Sequence, residues 1–270
     1  MPQSKKLNGQ KEGQIAIALA RAELYRWISL GLRYPDDSTQ ALLREKVSVR
    51  QLQDTCKQMD QVEQNQLSAL VKHWTDSLEQ QDADVLTLGY IQTFGHIAQS
   101  QVPLYETEYG QAQSLMGLHE LADIAGFYRA FGLEITPSLG ERVDHVSVES
   151  IFLHFLCYKE AYALTHHGTE QVMLCRDTQK QFLKNHFGAW GPSMALRILE
   201  NASDSIYGSL AQWLLKFLNS ETKRFDLPPT SEQLGLRAPD PSLEEGCTSC
   251  SAETSCPGGA DALAVRSESD

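Results

Sequence analysis

The chain has 270 residues, 41% of them apolar and 21% charged, enough to bury a sizeable core in one large domain or two small ones. Its formal net charge is −12 and its pI is near 5.1, an acidic surface that repels nucleic acid and anionic membrane and suits a basic partner or plain solubility. No apolar run approaches the roughly 20 residues of a membrane span, and Lys5-Lys6 is not followed by a signal-peptide core and cleavage site, so the sequence predicts a cytoplasmic protein.

Residues 1–12 are polar and read as a flexible N-terminus. A helix is expected from residue 13 to Tyr34, with Leu24, Trp27, Ile28 and Gly31 on one buried face. Pro35-Asp36-Asp37 stops it. Residues 50–80 read as helix with a narrower apolar face, and Asp84–Ile97 as another. Pro103 and Gly110 then bracket a non-helical stretch. Helix resumes over Ala112–Phe131, and Pro137-Ser138-Leu139-Gly140 reads as loop. A strong helix follows from His145 to His166, with Val148, Ile151, Phe152, Phe155 and Tyr162 expected on one face. Further helices are expected over Glu170–Asn185, Met194–Asn201 and Ser203–Asn219. The last carries Leu210, Trp213, Leu214, Phe217 and Leu218 at near-ideal spacing. No alternating β pattern of useful length appears. The expectation is an all-α fold with one globular helical domain over 13–225.

From residue 226 the composition changes. No aromatic residue follows Phe225, and five of the ten prolines fall there, so 226–270 reads as a disordered tail. Within it, Cys247-x-x-Cys250 and Cys256 offer three thiolates for zinc or part of an iron–sulfur cluster, with a fourth ligand from elsewhere. Exposed, oxidisable thiols on a flexible tail are the alternative. Cys56, Cys157 and Cys175 fall in helical patterns and read as small buried hydrophobes.

Residues 103–150 hold eight acids and two arginines, a net −6 that is half the charge of the whole chain. Leu104, Tyr105, Tyr109, Phe127, Tyr128 and Phe131 interleave with the acids. Such a surface suits a peptide that is both basic and apolar, because carboxylates take guanidinium groups bidentately. A solvated acidic face over core aromatics explains the same pattern. In Glu141-Arg142-Val143-Asp144-His145, Asp144 stands where the N-cap of the next helix is expected. His145 and Glu149 lie one helical turn apart and can pair. As metal ligands they make only half a site, since no second such pair is evident.

These residues resemble a known family. Tyr105-Glu106-Thr107-Glu108-Tyr109-Gly110, followed some thirty residues later by Glu141-Arg142-Val143-Asp144-His145 and a helix with Glu149 and Phe152, is similar to the TorD/DmsD/NarJ-like chaperones of molybdoenzyme maturation. Glu23-Leu24-Tyr25 and Tyr34-Pro35 also resemble the start of the family, and the resemblance covers residues 15–220. Val143 stands where the family usually has proline. The nearest branch in appearance is the delta subunit of selenate, dimethyl sulfide or ethylbenzene oxidoreductase systems. The resemblance implies an all-helical fold and a chaperone without enzymatic turnover. Its client would be the apo catalytic subunit of a molybdopterin oxidoreductase, or that subunit's twin-arginine leader, held back from export until the molybdenum cofactor is inserted. It implies no resident cofactor, no membrane insertion, and a monomer or a dimer. By position it points to Tyr105, Glu106, Tyr109, Glu141, Asp144, His145 and Glu149 as client- or leader-binding residues. The competing function is a metal- or redox-binding helical protein working through Cys247, Cys250 and Cys256.

Overall fold

A computed structural model gives the architecture, and the description below covers residues 2–63, 66–95, 100–111, 116–134, 141–228 and 233–238. Ten α-helices occur among these residues: α1 (Pro2–Gly31), α2 (Asp37–Leu43), α3 (Lys46–Glu63), α4 (Leu67–Gln80), α5 (Ala83–Phe94), α6 (Met116–Ala130), α7 (Val146–His166), α8 (Thr169–Asn185), α9 (Phe187–Ala202) and α10 (Ile206–Arg224). One 3₁₀ turn, Glu106–Glu108, lies between α5 and α6. The all-α expectation holds.

The helices form because each presents one apolar face to a shared core. Leu24, Trp27 and Ile28 of α1 and Leu210, Trp213, Leu214 and Phe217 of α10 are fully buried, as their spacing predicts. Trp74 of α4 stands between them, its ring centroid 6.0 Å from that of Trp27 and 5.6 Å from that of Trp213. α7 packs along α1 on one side and α8 on the other, while α10 packs on α9 and α4. Burial of α7 departs from expectation at two positions. Ile151 and Tyr162 are 41% and 46% exposed, because Leu153, Leu156 and Cys157 take the core-facing positions instead.

Several boundaries also differ. α1 starts at Pro2 rather than at residue 13, with proline at the first helical position, where its missing N–H costs nothing. α1 ends at Gly31 rather than Tyr34, and Asp36 starts an additional short helix: its carboxylate accepts the N–H of Thr39 at 2.7 Å and caps α2. α9 begins seven residues before the expected Met194. Gly191-Pro192 looks like a break, yet buried Phe187 and Trp190 hold that turn against the core. Gly188 is required there: a Cβ would lie 2.3 Å from the carbonyl oxygen of Leu183, where α8 hands over to α9.

A buried polar cluster ties α1, α7, α8 and α10 together. The guanidinium of Arg21, 1% exposed, donates to both oxygens of Glu221 at 2.7 and 2.5 Å and to Glu160 at 3.3 Å. Tyr25 donates to Glu221 at 2.8 Å. Arg176 and Gln179 donate to Glu160 at 2.6 and 3.0 Å. Burial works against the charge of Arg21, which Glu221 helps to hold, and burial followed by the Glu221 charge pushes the Tyr25 phenol up.

Residues 234–237, expected within a disordered tail, are instead packed on the helical body. Leu234 contacts the core and donates its N–H to Ser193 Oγ at 2.9 Å. The segment contains Leu234 and Leu236 and offers backbone donors and acceptors that the loop before α6 satisfies. Cys247, Cys250 and Cys256 lie outside the described residues. No described helix is long and apolar enough to cross a membrane.

Candidate functional site

The two sequence segments singled out above meet in space. Pro103 disfavours helix at Val102, and the chain is extended at Tyr105 before the 3₁₀ turn. The extended part pairs antiparallel with the stretch entering α7. Val146 N–H donates to the carbonyl of Leu104 at 2.9 Å, and Glu106 N–H donates to that of Asp144 at 3.0 Å. Two tyrosines fix this junction from behind. Tyr128 of α6 donates to the Val143 carbonyl at 2.9 Å, and buried Tyr109 donates to the Pro103 carbonyl at 2.8 Å.

Asp144 is completely buried and is not the helix cap the sequence suggested. Its carboxylate turns across to the other segment, accepting the N–H of Thr107 at 3.2 Å and the Thr107 hydroxyl at 2.7 Å. Arg142 closes the arrangement with bonds of 3.0 and 2.7 Å to the same carboxylate and 2.6 Å to Thr107 Oγ1. The cap of α7 is His145, whose Nδ1 accepts the N–H of Ser147 at 3.2 Å. Burial pushes His145 down to about 4, against the charge of Asp144, so the ring is neutral at physiological pH. Its Nε2 stands 3.9 Å from Glu141, too far for a hydrogen bond and, with a neutral ring, no ion pair.

The expected pairing of His145 with Glu149 does not form. Glu149, fully buried, accepts from the indole N–H of Trp190 at 3.0 Å, and its other oxygen faces no donor. Burial, together with the charge of neighbouring Glu106, holds this carboxyl well above the usual carboxylate range. Glu106 in turn accepts from Nδ1 of His186 at 3.0 Å, and Nε2 of that ring donates to Asp123 at 3.1 Å. Burial works against charge on His186, but the bonds and charges of Glu106 and Asp123 outweigh it and raise its pKa. A chain of ionisable groups thus runs from interior Glu149 to Asp123, whose side chain is 62% exposed.

The predicted residues therefore separate into two sets. Glu106, Tyr109, Asp144, His145 and Glu149 are buried, whereas Tyr105 and Glu141 are half-buried at the surface. The Tyr105 hydroxyl donates to Glu141 at 3.2 Å, and the guanidinium of Arg142 lies over its ring at 4.6 Å. Burial and the adjacent Glu141 charge push the Tyr105 phenol up to about 12. Partial burial also raises Glu108 and Glu141. Thr107, Asp123, His186 and Trp190 belong to the site but were not found from the sequence, since no local spacing links His186 to Glu106, 80 positions away. Among the described residues no group of three His, Cys, Asp or Glu is placed to hold a metal.

The sequence model of the nitrate reductase delta subunit family matches residues 57–195, which includes both paired segments and His186. The chain belongs to this family. It is the TorD/NarJ-type family that the motif residues resemble. A relative named perchlorate reductase assembly chaperone protein, from Dechloromonas aromatica, is 25% identical over 207 residues, covering 75% of this chain and 88% of that protein. Another, named chaperone protein TorD, from Vibrio cholerae serotype O1, is 24% identical over 212 residues, covering 76% and 92%. The likeness thus spans nearly the whole length of these nitrate reductase delta subunit family relatives. Both carry names of chaperones.

Proposed function

We propose that this chain is an assembly chaperone for the catalytic subunit of a molybdopterin oxidoreductase. On this reading it binds the apo subunit, its N-terminal leader or both in the cytoplasm until the cofactor is in place, and catalyses no turnover. Membership of the nitrate reductase delta subunit family carries the reading, because the relatives named as chaperones align over 88% and 92% of their lengths. The geometry supports a division of labour. Buried Asp144, His145, Glu106, Tyr109 and Glu149 hold two surface segments in register, and half-buried Tyr105, Glu108 and Glu141 present acid beside an aromatic ring. A guanidinium of the client can bond to such carboxylates, and an apolar residue can lie on Tyr105.

The test is co-expression with the catalytic subunit of a neighbouring molybdoenzyme operon, followed by affinity capture. The unaltered chain should retain the apo subunit, less so at high salt. Glu141→Lys should reduce capture roughly tenfold, the equivalent of about 1.4 kcal/mol, while leaving helical content unchanged. Capture of neither the subunit nor a synthetic leader peptide by the unaltered chain would exclude this function.

A further inference from the structure

The Tyr105–Gly110 loop has two edges. One pairs with the entry to α7, as described above. The other is occupied by the chain's own residues 235–237, with Leu234 leading in. Gly110 N–H donates to the Gly235 carbonyl at 2.8 Å, and Arg237 N–H donates to the Glu108 carbonyl at 2.9 Å, with an antiparallel bridge between Tyr109 and Leu236. This is strand addition by an extended segment, a common mode of peptide recognition. At its N-terminal end the segment is held by α9, where Ser193 Oγ accepts the Leu234 N–H and Arg197 donates to the Leu234 carbonyl at 3.2 Å.

The Arg237 side chain enters a slot made for it. Its Nε donates to the Tyr109 carbonyl at 2.7 Å, and Nη2 donates to Glu120 of α6 at 2.6 Å. Only 14% of this side chain is exposed. The slot has glycine on both walls: a Cβ on Gly110 would lie 3.7 Å from Nη2, and one on Gly117 would lie 3.8 Å from Nη1. Gly110 also has φ +96°, which an L side chain rarely adopts. The second oxygen of Glu120 is buried and meets no donor, so this carboxylate keeps an acceptor unused by Arg237, which a two-point guanidinium bond would satisfy. Gly235, by contrast, borders open space, so that position imposes no size limit.

We propose that the groove formed by the Glu108–Gly110 edge, α6 and α9 is a binding site for an extended, arginine-bearing segment of the client, and that residues 234–237 fill it as an internal ligand. The recognised pattern is an apolar residue at the Leu234 position and an arginine three residues later. This rests on the chaperone reading and supplies it with a second contact, distinct from the Tyr105–Glu141 surface. Because the internal ligand is tethered, its effective concentration is on the order of millimolar, so a client peptide must outcompete it. The groove then opens most readily to a partner that brings further contacts elsewhere, and to a bare peptide only at saturating concentration.

The experiment uses the full chain and a labelled synthetic peptide copying residues 229–240, with fluorescence anisotropy as readout. Arg237→Ala should bind the copy roughly tenfold more tightly than the unaltered chain. A copy with alanine in place of its arginine should not bind, and adding Glu120→Gln to the Arg237→Ala chain should abolish the gain. In the unaltered chain, saturating copy should speed amide hydrogen exchange of residues 234–237, a readout that needs no substitution. Equal affinity of the two chains, binding indifferent to the arginine, or unchanged exchange would each overturn the proposal. Capture of the apo catalytic subunit, measured in parallel, separates the two readings. If capture persists while the peptide results fail, the groove assignment falls and the chaperone function stands.

Discussion

The Arg21 cluster and the cluster around Asp144 and Glu106 both place charge inside the helical body, but they settle it differently. Around Arg21, guanidinium groups face the carboxylates of Glu160 and Glu221, and Tyr25 and Gln179 complete the hydrogen bonds. That cluster is balanced, and its acids are sealed from solvent, with Arg176 reaching the surface. The other cluster holds Glu106, Asp144 and Glu149 against Arg142 and a histidine, and reaches solvent through Asp123 and Arg142. It has more acid than base, and the excess raises its neighbours: burial and Glu106 hold the Glu149 carboxyl up, and Glu106 and Asp123 hold the His186 ring up against its burial. The contrast teaches that one cluster clamps four helices, while the other combines shape with sensitivity to pH.

Removing Arg21 should break the comparison most severely. Arg21→Met takes from buried Glu221 its two-point guanidinium partner and leaves Glu160 with Arg176 as its remaining guanidinium, and should cost about 3–5 kcal/mol in chemical denaturation. Asp144→Ala should cost less, about 2 kcal/mol, because Arg142 is half exposed and regains water while the Thr107 groups lose their acceptor. If Asp144→Ala proved the more damaging of the two, the division into clamp and junction would fail.

The smallest and most diagnostic effects concern pH. Glu149 and His186 have folded pKa values above their unfolded ones. Their contributions are complete below about 4.5 and 6.5 respectively, and decline as pH rises. His145, pushed down to about 4, acts the other way: its contribution is present above about 6.5 and is lost as pH falls towards 4. Glu149→Gln keeps an acceptor for Trp190 and needs no proton. Relative to the unaltered chain it should gain stability steadily as pH rises from about 5 to 8, with no gain at the acidic end. NMR titration should find His145 neutral at pH 5.5 and His186 titrating above the ordinary imidazole range. Arg21→Met should leave both titrations in place.

Much of the fold was legible because it is local. The stripes of α1 and α10 follow helical spacing, and every residue named on them is buried. The pairing of the two motif segments was indicated by their kinship, not by periodicity. What escaped was long-range. Arg21 meets Glu221 two hundred positions away, and Glu106 meets His186 eighty away. Asp144 was plausible as a cap by position, but capping by the His145 ring freed it to cross to Thr107. Residues 234–237 look tail-like in composition, yet their main chain finds partners on the motif loop. Composition measures what a segment can bury by itself, and says nothing of a vacant backbone edge elsewhere.

The placement of the four tryptophans has a practical consequence. Trp27, Trp74 and Trp213 crowd into one aromatic stack, while Trp190 stands apart with its indole N–H on Glu149. A chain keeping Trp190 as its sole indole would carry its own optical gauge. Its emission would respond to the ionisation of one interior acid, and the state of the junction could be followed in solution without a label.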